Sequence, residues 1–398
     1  MLIVIVRDGK HLSVKTRFIT QILKLDSNIQ FLYLFRNEQK KFREKLFNNE
    51  MELATSLSGI LMYFLLIFFL KTPKDLRDGI IRRIQRQQLA PMIRNGGFMS
   101  VIFQALYQYV ASSARSNNIL NFLRKLDSPK IFLIDEFFSL NVVNLKILKK
   151  LGYIIYISSD LASDFYGDNC VATKLMYNFE RSEISLPDMV IACSERDRIK
   201  YEEMGAKNVI YYPNIYPIKK FERNTKDPTP SISIVLHGSW GSRADKSLED
   251  VFKALNRIKM NIKVYMIGKK PQNVPKNVEL DYYTYIPSKL EYLKILSKSW
   301  IGINLGIHMG GTNQRKYDYA MAGSIVLSDF FGVRGDLLPN EYSYVDNVDL
   351  SAKLNQIFEL DLDKIVKMGK TNKKYTLSLA EEQLKGLLSA IKPFLSCN

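Results

Sequence analysis

Cysteines are scarce in this chain, and their scarcity excludes two classes of protein. The 398 residues include only Cys170, Cys193 and Cys397. Their number is odd, they lie far apart and they lack the spacing of metal ligands, so the sequence predicts neither a disulfide framework nor a zinc site. A reducing, cytoplasmic location is the expectation that follows.

Acidic residues are also in short supply. The chain has 57 Lys and Arg against 40 Asp and Glu, a formal net charge of +17. Such an excess predicts an anionic partner, which can be a nucleic acid, an anionic membrane surface or a phosphorylated substrate. Because helix-turn-helix, zinc-finger and RNA-binding signatures are missing and the lysines are widely spread, no nucleic acid partner is expected.

The chain has no uncharged run that is clearly long enough to span a membrane. Residues 53–70 carry no charge, but 18 residues are only the lower limit for crossing a bilayer. The stretch after them combines apolar residues with a set of arginines: Arg77, Arg82, Arg83, Arg86 and Arg94. This basic amphipathic pattern favours a helix in the membrane interface, with a buried helix and a true span as alternatives. We therefore expect 53–94 to associate with an anionic membrane, which would make the protein peripheral on the inner face of the cell membrane.

Length and periodicity indicate two α/β domains. A chain of 398 residues with 46% hydrophobic residues exceeds the usual size of a single core. Strand-like runs alternate with helical patterns, which is typical of parallel sheets covered on both faces. These runs lie at 2–6, 30–34, 130–134, 153–157, 232–236, 262–267, 278–281, 300–305 and 325–328. The polar, proline-containing segment 214–230 predicts a linker between a first domain, 1–213, and a second, 231–375, followed by a C-terminal helix, 376–398.

The most informative segment is 310–329. An apolar strand precedes Gly310 and Gly311, Thr312 is placed to cap a helix, and after Gly323 a second apolar strand follows. The N-terminus of a helix presents unpaired N–H groups and a positive dipole, which favour a phosphate or diphosphate. The neighbouring Arg315 and Lys316 add positive charge, and a carboxylate one turn on, Asp318, is suited to accept hydrogen bonds from the two hydroxyls of a ribose.

This order of basic, aromatic, acidic and small residues resembles the donor-binding helix of glycosyltransferases with the two-Rossmann-domain (GT-B) fold, most closely the family 4-like group (glycosyl transferases group 1). Two further segments, 187–214 and 277–305, are similar to this family in the expected order. The resemblance implies an α/β fold of two Rossmann-like domains facing across a cleft, with the C-terminal helix returning to the first domain. It also implies that Asp318 holds the donor ribose and that Arg315 faces the diphosphate. Many relatives carry a glutamate where this chain has Gly310, so one donor-sugar contact of the family is absent.

Residues after the strands complete the predicted site, because ligands of open α/β sheets bind at the carboxyl ends of the strands. All three histidines, at 11, 237 and 308, follow strands. We predict donor binding by His237, Gly238, Arg243, Lys246, Gly310, Gly311, Thr312, Asn313, Arg315 and Asp318. Proton transfer needs a carboxylate or a histidine, and the predicted catalytic residues are Asp160, Glu136 and His308. Whether a dedicated base is needed stays open, because a retaining enzyme can pass the proton to the departing phosphate.

The sequence thus predicts a glycosyltransferase that moves a sugar from a nucleotide-sugar to a glycan or a polyprenyl- or dolichyl-linked acceptor. We expect no cofactor and no metal, because no convincing Asp-x-Asp motif lies between the domains. One alternative is an inactive GT-B-like, nucleic-acid-binding or scaffold protein that uses the basic surface. Another is an epimerase or a phosphorylase with the same fold.

Overall fold

The structure is a computed structural model that describes residues 2–7, 14–23, 29–35, 123–125, 130–135, 145–158, 180–215, 226–236, 241–306, 314–329 and 337–395. The chain divides into two compact units. The first comprises Met1–Cys193, Asp197–Tyr211 and Ser389–Asn398, and the second comprises Ser194–Arg196 and Tyr212–Leu388. The predicted membrane-associating segment, 53–94, lies outside the described residues; within the described ranges, no helix is both long and apolar enough to cross a bilayer.

The first unit is built on a six-stranded parallel sheet. Its strands are β1 (Leu2–Arg7), β2 (Gln30–Phe35), β3 (Lys130–Asp135), β4 (Tyr153–Ile157), β5 (Met189–Ala192) and β6 (Val209–Tyr211), ordered β2-β1-β3-β4-β5-β6. Its described helices are α1 (Val14–Leu23), α2 (Leu145–Leu148) and α3 (Glu195–Glu203). Every residue of β3 is buried, which is the pattern of a parallel strand covered on both faces.

The second unit has a second six-stranded parallel sheet. Its strands are β7 (Ser231–Leu236), β8 (Ile262–Gly268), β9 (Val278–Tyr283), β10 (Ile301–Asn304), β11 (Ile325–Asp329) and β12 (Glu341–Tyr344), ordered β12-β11-β10-β7-β8-β9. The chain runs outward from β7 to β9, returns to β10 beside β7, and then runs outward on the other side. The switch point of the sheet therefore lies between β7 and β10, where open α/β sheets bind their ligands. The predicted α/β class with two parallel sheets is confirmed.

Five helices of the second unit matter for the site and its surroundings. They are α4 (Gly241–Asn256), α5 (Lys289–Lys298), α6 (Gln314–Met321), α7 (Asn347–Phe358) and α8 (Leu362–Leu395). The apolar faces of α4 and α7 pack with the sheet in one core that includes Phe252, Trp300 and Leu354. Tyr292 on α5 and Tyr319 on α6 lie in a second cluster that also contains Val235 of β7.

The C-terminal helix is longer than the sequence predicts. It begins at Leu362 rather than near 376, because Asp361 caps it by accepting a hydrogen bond from the Lys364 N–H at 2.7 Å. Its residues up to 388 belong to the second unit, and its last turns belong to the first. There Phe394 packs edge-on against Tyr153, with ring centroids 5.3 Å apart.

Both described ends of the predicted linker pack on the second unit. Ile215 is fully buried in the same cluster as Val235. At the other end, the Lys226 ammonium donates to the Ser299 carbonyl and, at 3.2 Å, to the Ser324 hydroxyl. These contacts attach the last residues of the linker to the amino ends of β10 and β11.

Lys226 gives the stability of the protein a predictable dependence on pH. Burial, reinforced by the charge of Lys373, lowers its pKa to about 7, whereas an unfolded chain has a lysine pKa of about 10.4. Between these values the unfolded state binds a proton that the folded state does not, so stability rises as the pH increases through this window. We expect the melting temperature of the wild type to rise relative to that of Lys226→Met between about pH 7 and pH 9. Parallel curves for the two proteins would contradict the assignment, and Lys294→Met, at an exposed lysine, is the control.

Candidate functional site

The candidate site lies at the carboxyl ends of β7 and β10, where α6 packs across the switch point. Seven of the eight residues of α6, from Arg315 to Met321, are buried. The helix ends at Met321, and the turn after it contains Gly323, whose φ of +74° is a left-handed conformation that favours glycine. A short helix with charged side chains on several faces is thus enclosed by the fold, and each charge needs a partner.

Arg315 joins the two strands that flank the switch point. Its guanidinium donates to the carbonyl of Val235 in β7 at 2.8 Å and to the carbonyl of Leu305, just after β10, at 2.9 Å. Burial lowers the pKa of Arg315, while the charges of Asp329 and Asp318 act in the opposite direction. The Arg315 side chain therefore links the carboxyl ends of β7 and β10, which form the floor of the site. A role towards a diphosphate stays a prediction from the sequence.

Lys316 has a different environment from the one that its position in the sequence suggests. Its side chain is completely buried, and its ammonium lies 2.7 Å from the equally buried carboxylate of Glu341 at the start of β12. Glu341 also accepts hydrogen bonds from the Ser328 hydroxyl at 2.7 Å and from the Leu338 N–H at 3.1 Å. The charge of Lys316 is thus paired inside the second unit, and its ammonium does not add to a phosphate site as the sequence predicts.

Asp318 is held by two side chains of α5. One carboxylate oxygen lies 2.5 Å from the Lys289 ammonium, and the other accepts a hydrogen bond from the Tyr292 hydroxyl at 3.2 Å. Asp318 is only 3% exposed. Burial, together with the charge of Asp318, raises the pKa of Tyr292, so this phenol stays protonated and keeps donating. The sequence predicts Asp318, but it gives no direct sign of its partners on α5.

Tyr319 fixes α6 to the sheet beneath it. Its hydroxyl accepts a hydrogen bond from the Val235 N–H at 2.8 Å, and burial raises its pKa. The ring lies so close to Gly302 in β10 that a Cβ atom there would be 2.2 Å from it. A glycine is required at this position because any larger residue would displace Tyr319 and with it the helix.

The structure brings together only part of the predicted site. Arg315 and Asp318 share α6, Arg243 lies in the first turn of α4, and Lys246 is exposed on the same helix. The other predicted residues lie outside the described ranges: Glu136, Asp160, His237, Gly238, His308, Gly310, Gly311, Thr312 and Asn313. Among the side chains that the structure describes, no group of three or more His, Cys, Asp or Glu is arranged to hold a metal ion.

A buried polar cluster lies at the corresponding edge of the first sheet. Asp135, the last residue of β3, accepts a hydrogen bond from the Thr16 hydroxyl of α1 at 2.6 Å. Lys15, the residue before Thr16 on α1, donates to the carbonyl of Ser158 after β4 at 3.0 Å. These contacts fix the start of α1 against the ends of β3 and β4.

Comparison with known proteins finds likeness in structure alone. No family model and no curated protein matches the sequence. An alpha,alpha-trehalose-phosphate synthase (UDP-forming) from Burkholderia vietnamiensis is similar with a TM-score of 0.62 at 10% identity, over 98% of this chain and 99% of that one. Anabaena HepE, solved with UDP and glucose, gives a TM-score of 0.56 at 10% identity, over 98% and 100%.

A third similar structure is that of TarM, with a TM-score of 0.52 at 14% identity over 68% of this chain. This chain spans 57% of the length of TarM. At such identities the likeness shows the fold, and the GT-B fold predicted from the sequence is confirmed. The narrower resemblance to the family 4-like group stays a prediction.

Proposed function

We propose that the protein is a glycosyltransferase that uses a nucleotide-sugar donor. The observation that carries the proposal is the buried carboxylate of Asp318, held at the switch point of the second sheet in a chain with the GT-B fold. In open α/β sheets this is the position at which nucleotides bind. Among proteins of similar structure, one is described as UDP-forming and another was solved with UDP and glucose, which supports the same class of donor.

In the proposed complex, Asp318 accepts hydrogen bonds from the vicinal hydroxyls of the donor ribose. The diphosphate lies against the amino end of α6, because the first N–H groups of a helix and its dipole favour an anion. Negative charge accumulates on this diphosphate as the sugar departs, so fixed cations lower the barrier most effectively there. Arg243 and Lys246 on α4 are the proposed cations, and transfer proceeds without a metal ion.

The acceptor side of the proposal rests on the sequence. The uncharged run and the basic stretch of 53–94 favour a membrane-bound acceptor, for which a polyprenyl- or dolichyl-linked sugar is the proposed class. The enzyme would then work as a peripheral protein at the inner face of the cell membrane. Co-sedimentation with anionic lipid vesicles checks this part, and recovery of all the protein in the supernatant would contradict it.

A thermal-shift panel tests the donor site. We expect one class among UDP-, GDP-, ADP- and dTDP-sugars, without added metal, to raise the melting temperature of the wild type by several degrees, because ligands of the folded state stabilise it. Asp318→Asn should lose the shift, whereas Glu291→Gln, which changes an exposed carboxylate on α5, should keep it. No shift with any donor would count against the proposal and favour a non-catalytic protein that binds through its basic surface.

A further inference from the structure

Lys289 occupies a position that local preference does not explain. It is the first residue of α5, directly after the N-cap Ser288, whose hydroxyl accepts a hydrogen bond from the Glu291 N–H. Helix dipoles favour anions at this end and cations at the other. A residue that breaks a local rule commonly serves an interaction elsewhere, and here that interaction is with Asp318 on another helix.

Lys289, Tyr292 and Asp318 form a closed triangle. The Lys289 ammonium lies 2.5 Å from one oxygen of Asp318 and 4.7 Å from the centre of the Tyr292 ring. The Tyr292 hydroxyl donates to the other oxygen of Asp318 at 3.2 Å. Each member therefore contacts the other two, and the carboxylate is held at both of its oxygens.

Lys289 is the most exposed member of the triangle. The Lys289 side chain is 33% exposed, whereas that of Asp318 is only 4% exposed, and Tyr292 is buried. The cation that holds the carboxylate is therefore partly accessible to solvent, while the carboxylate itself is buried. The lysine thus contacts directly the group that the proposed function assigns to the donor ribose.

We propose that Lys289 is a positioning residue that makes the site selective for a ribose with both hydroxyls. It holds the Asp318 carboxylate in the orientation in which that carboxylate accepts two hydrogen bonds from a vicinal diol. Without Lys289 one oxygen of the carboxylate loses its contact with the ammonium, and the site discriminates less between a ribose and a 2′-deoxyribose. The inference rests on the proposed function, since it takes the ligand to be a nucleoside diphosphate.

Binding of matched nucleotide pairs tests this role. The probes are UDP, GDP and ADP, each compared with its 2′-deoxy form by isothermal titration calorimetry. A site that hydrogen-bonds a hydroxyl discriminates against the analogue that lacks it. We expect Lys289→Met to weaken binding of the ribonucleotide about tenfold, the effect of losing a hydrogen bond to a charged group. The dissociation constant of the 2′-deoxynucleotide should change little. The ratio of the dissociation constant of the 2′-deoxynucleotide to that of the ribonucleotide therefore falls, and Lys289→Arg should restore this ratio.

Control variants separate positioning from a general loss of structure. Lys294→Met removes another lysine of α5, one that pairs with Glu291 on the surface, and should leave the ratio unchanged. If Lys289→Met does not fold, Tyr292→Phe removes one hydroxyl and should lower the same ratio. An unchanged ratio, or tighter binding in Lys289→Met, would overturn the inference alone. If the wild type binds none of the nucleotides, the proposed function fails and the inference fails with it.

Discussion

Replacing Glu341 by glutamine is expected to lower the free energy of unfolding by about 3–5 kcal/mol, because it leaves the ammonium of Lys316 buried without its counter-charge. Both side chains are completely buried and lie 2.7 Å apart. Glutamine has nearly the same shape as glutamate, so packing is retained and the loss reports on charge. The double variant Lys316→Met/Glu341→Leu replaces the pair by apolar groups and should recover part of the lost stability. Recovery is incomplete because the Ser328 hydroxyl and the Leu338 N–H lose their acceptor.

Urea unfolding followed by circular dichroism measures these differences. The matched control is Glu249→Gln on α4, which breaks an exposed pair with Lys253 at a similar separation of 2.8 Å. Exposed pairs of this kind contribute at most about 1 kcal/mol. A loss in Glu341→Gln as small as that in the control would show that solvent reaches the Lys316–Glu341 pair.

Replacing each of two glycines of α8 by alanine is expected to change the stability of the protein in opposite directions. A Cβ atom at Gly369 would lie 1.8 Å from the carbonyl oxygen of Gly323, which follows α6. That oxygen belongs to the backbone and cannot rotate away, so Gly369→Ala must push α8 off the end of α6. We expect a loss of about 3 kcal/mol, at the upper end of overpacking costs.

Gly386 lies in the same helix, and a Cβ atom added there would have no atom within 4 Å. Gly386→Ala should therefore stabilise the protein by about 0.4–1 kcal/mol, since alanine restricts the unfolded chain and fits the helix. Melting temperatures of the two variants check the pair of predictions. Equal changes in melting temperature for the two variants would contradict the close approach of Gly369 to the Gly323 carbonyl.

Most strands of the second sheet could be predicted from the sequence, but β12, one of its two edge strands, could not. Runs such as Ser231–Leu236 and 325–328 are buried on both faces, and most of their residues are apolar, with no charged residue among them. Strand β12, Glu341–Tyr344, is short, begins with a charged residue and is partly exposed. Its place in the sheet depends on pairing with β11, which no local pattern reveals.

The candidate site also has residues that the sequence predicts and partners that it does not. Asp318 and Arg315 stand out because one short segment combines glycines, a cap and charges. Their partners Lys289 and Val235 come from elements far away in the chain, and only packing brings them together. Lys316 and Arg315 are adjacent cations in the sequence, yet one pairs with Glu341 in the core and the other bridges two strand ends. Charge type alone does not indicate which of them faces a ligand.

The bridge made by Arg315 has a consequence for the thermodynamics of binding. Chains leaving β7 and β10 diverge at a switch point, so their ends tend to separate unless something joins them. Arg315 hydrogen-bonds to the Val235 and Leu305 carbonyls and so joins these ends before any ligand arrives. The strand ends beneath the proposed nucleotide site are thus pre-organised, and little conformational entropy is lost at these ends on binding.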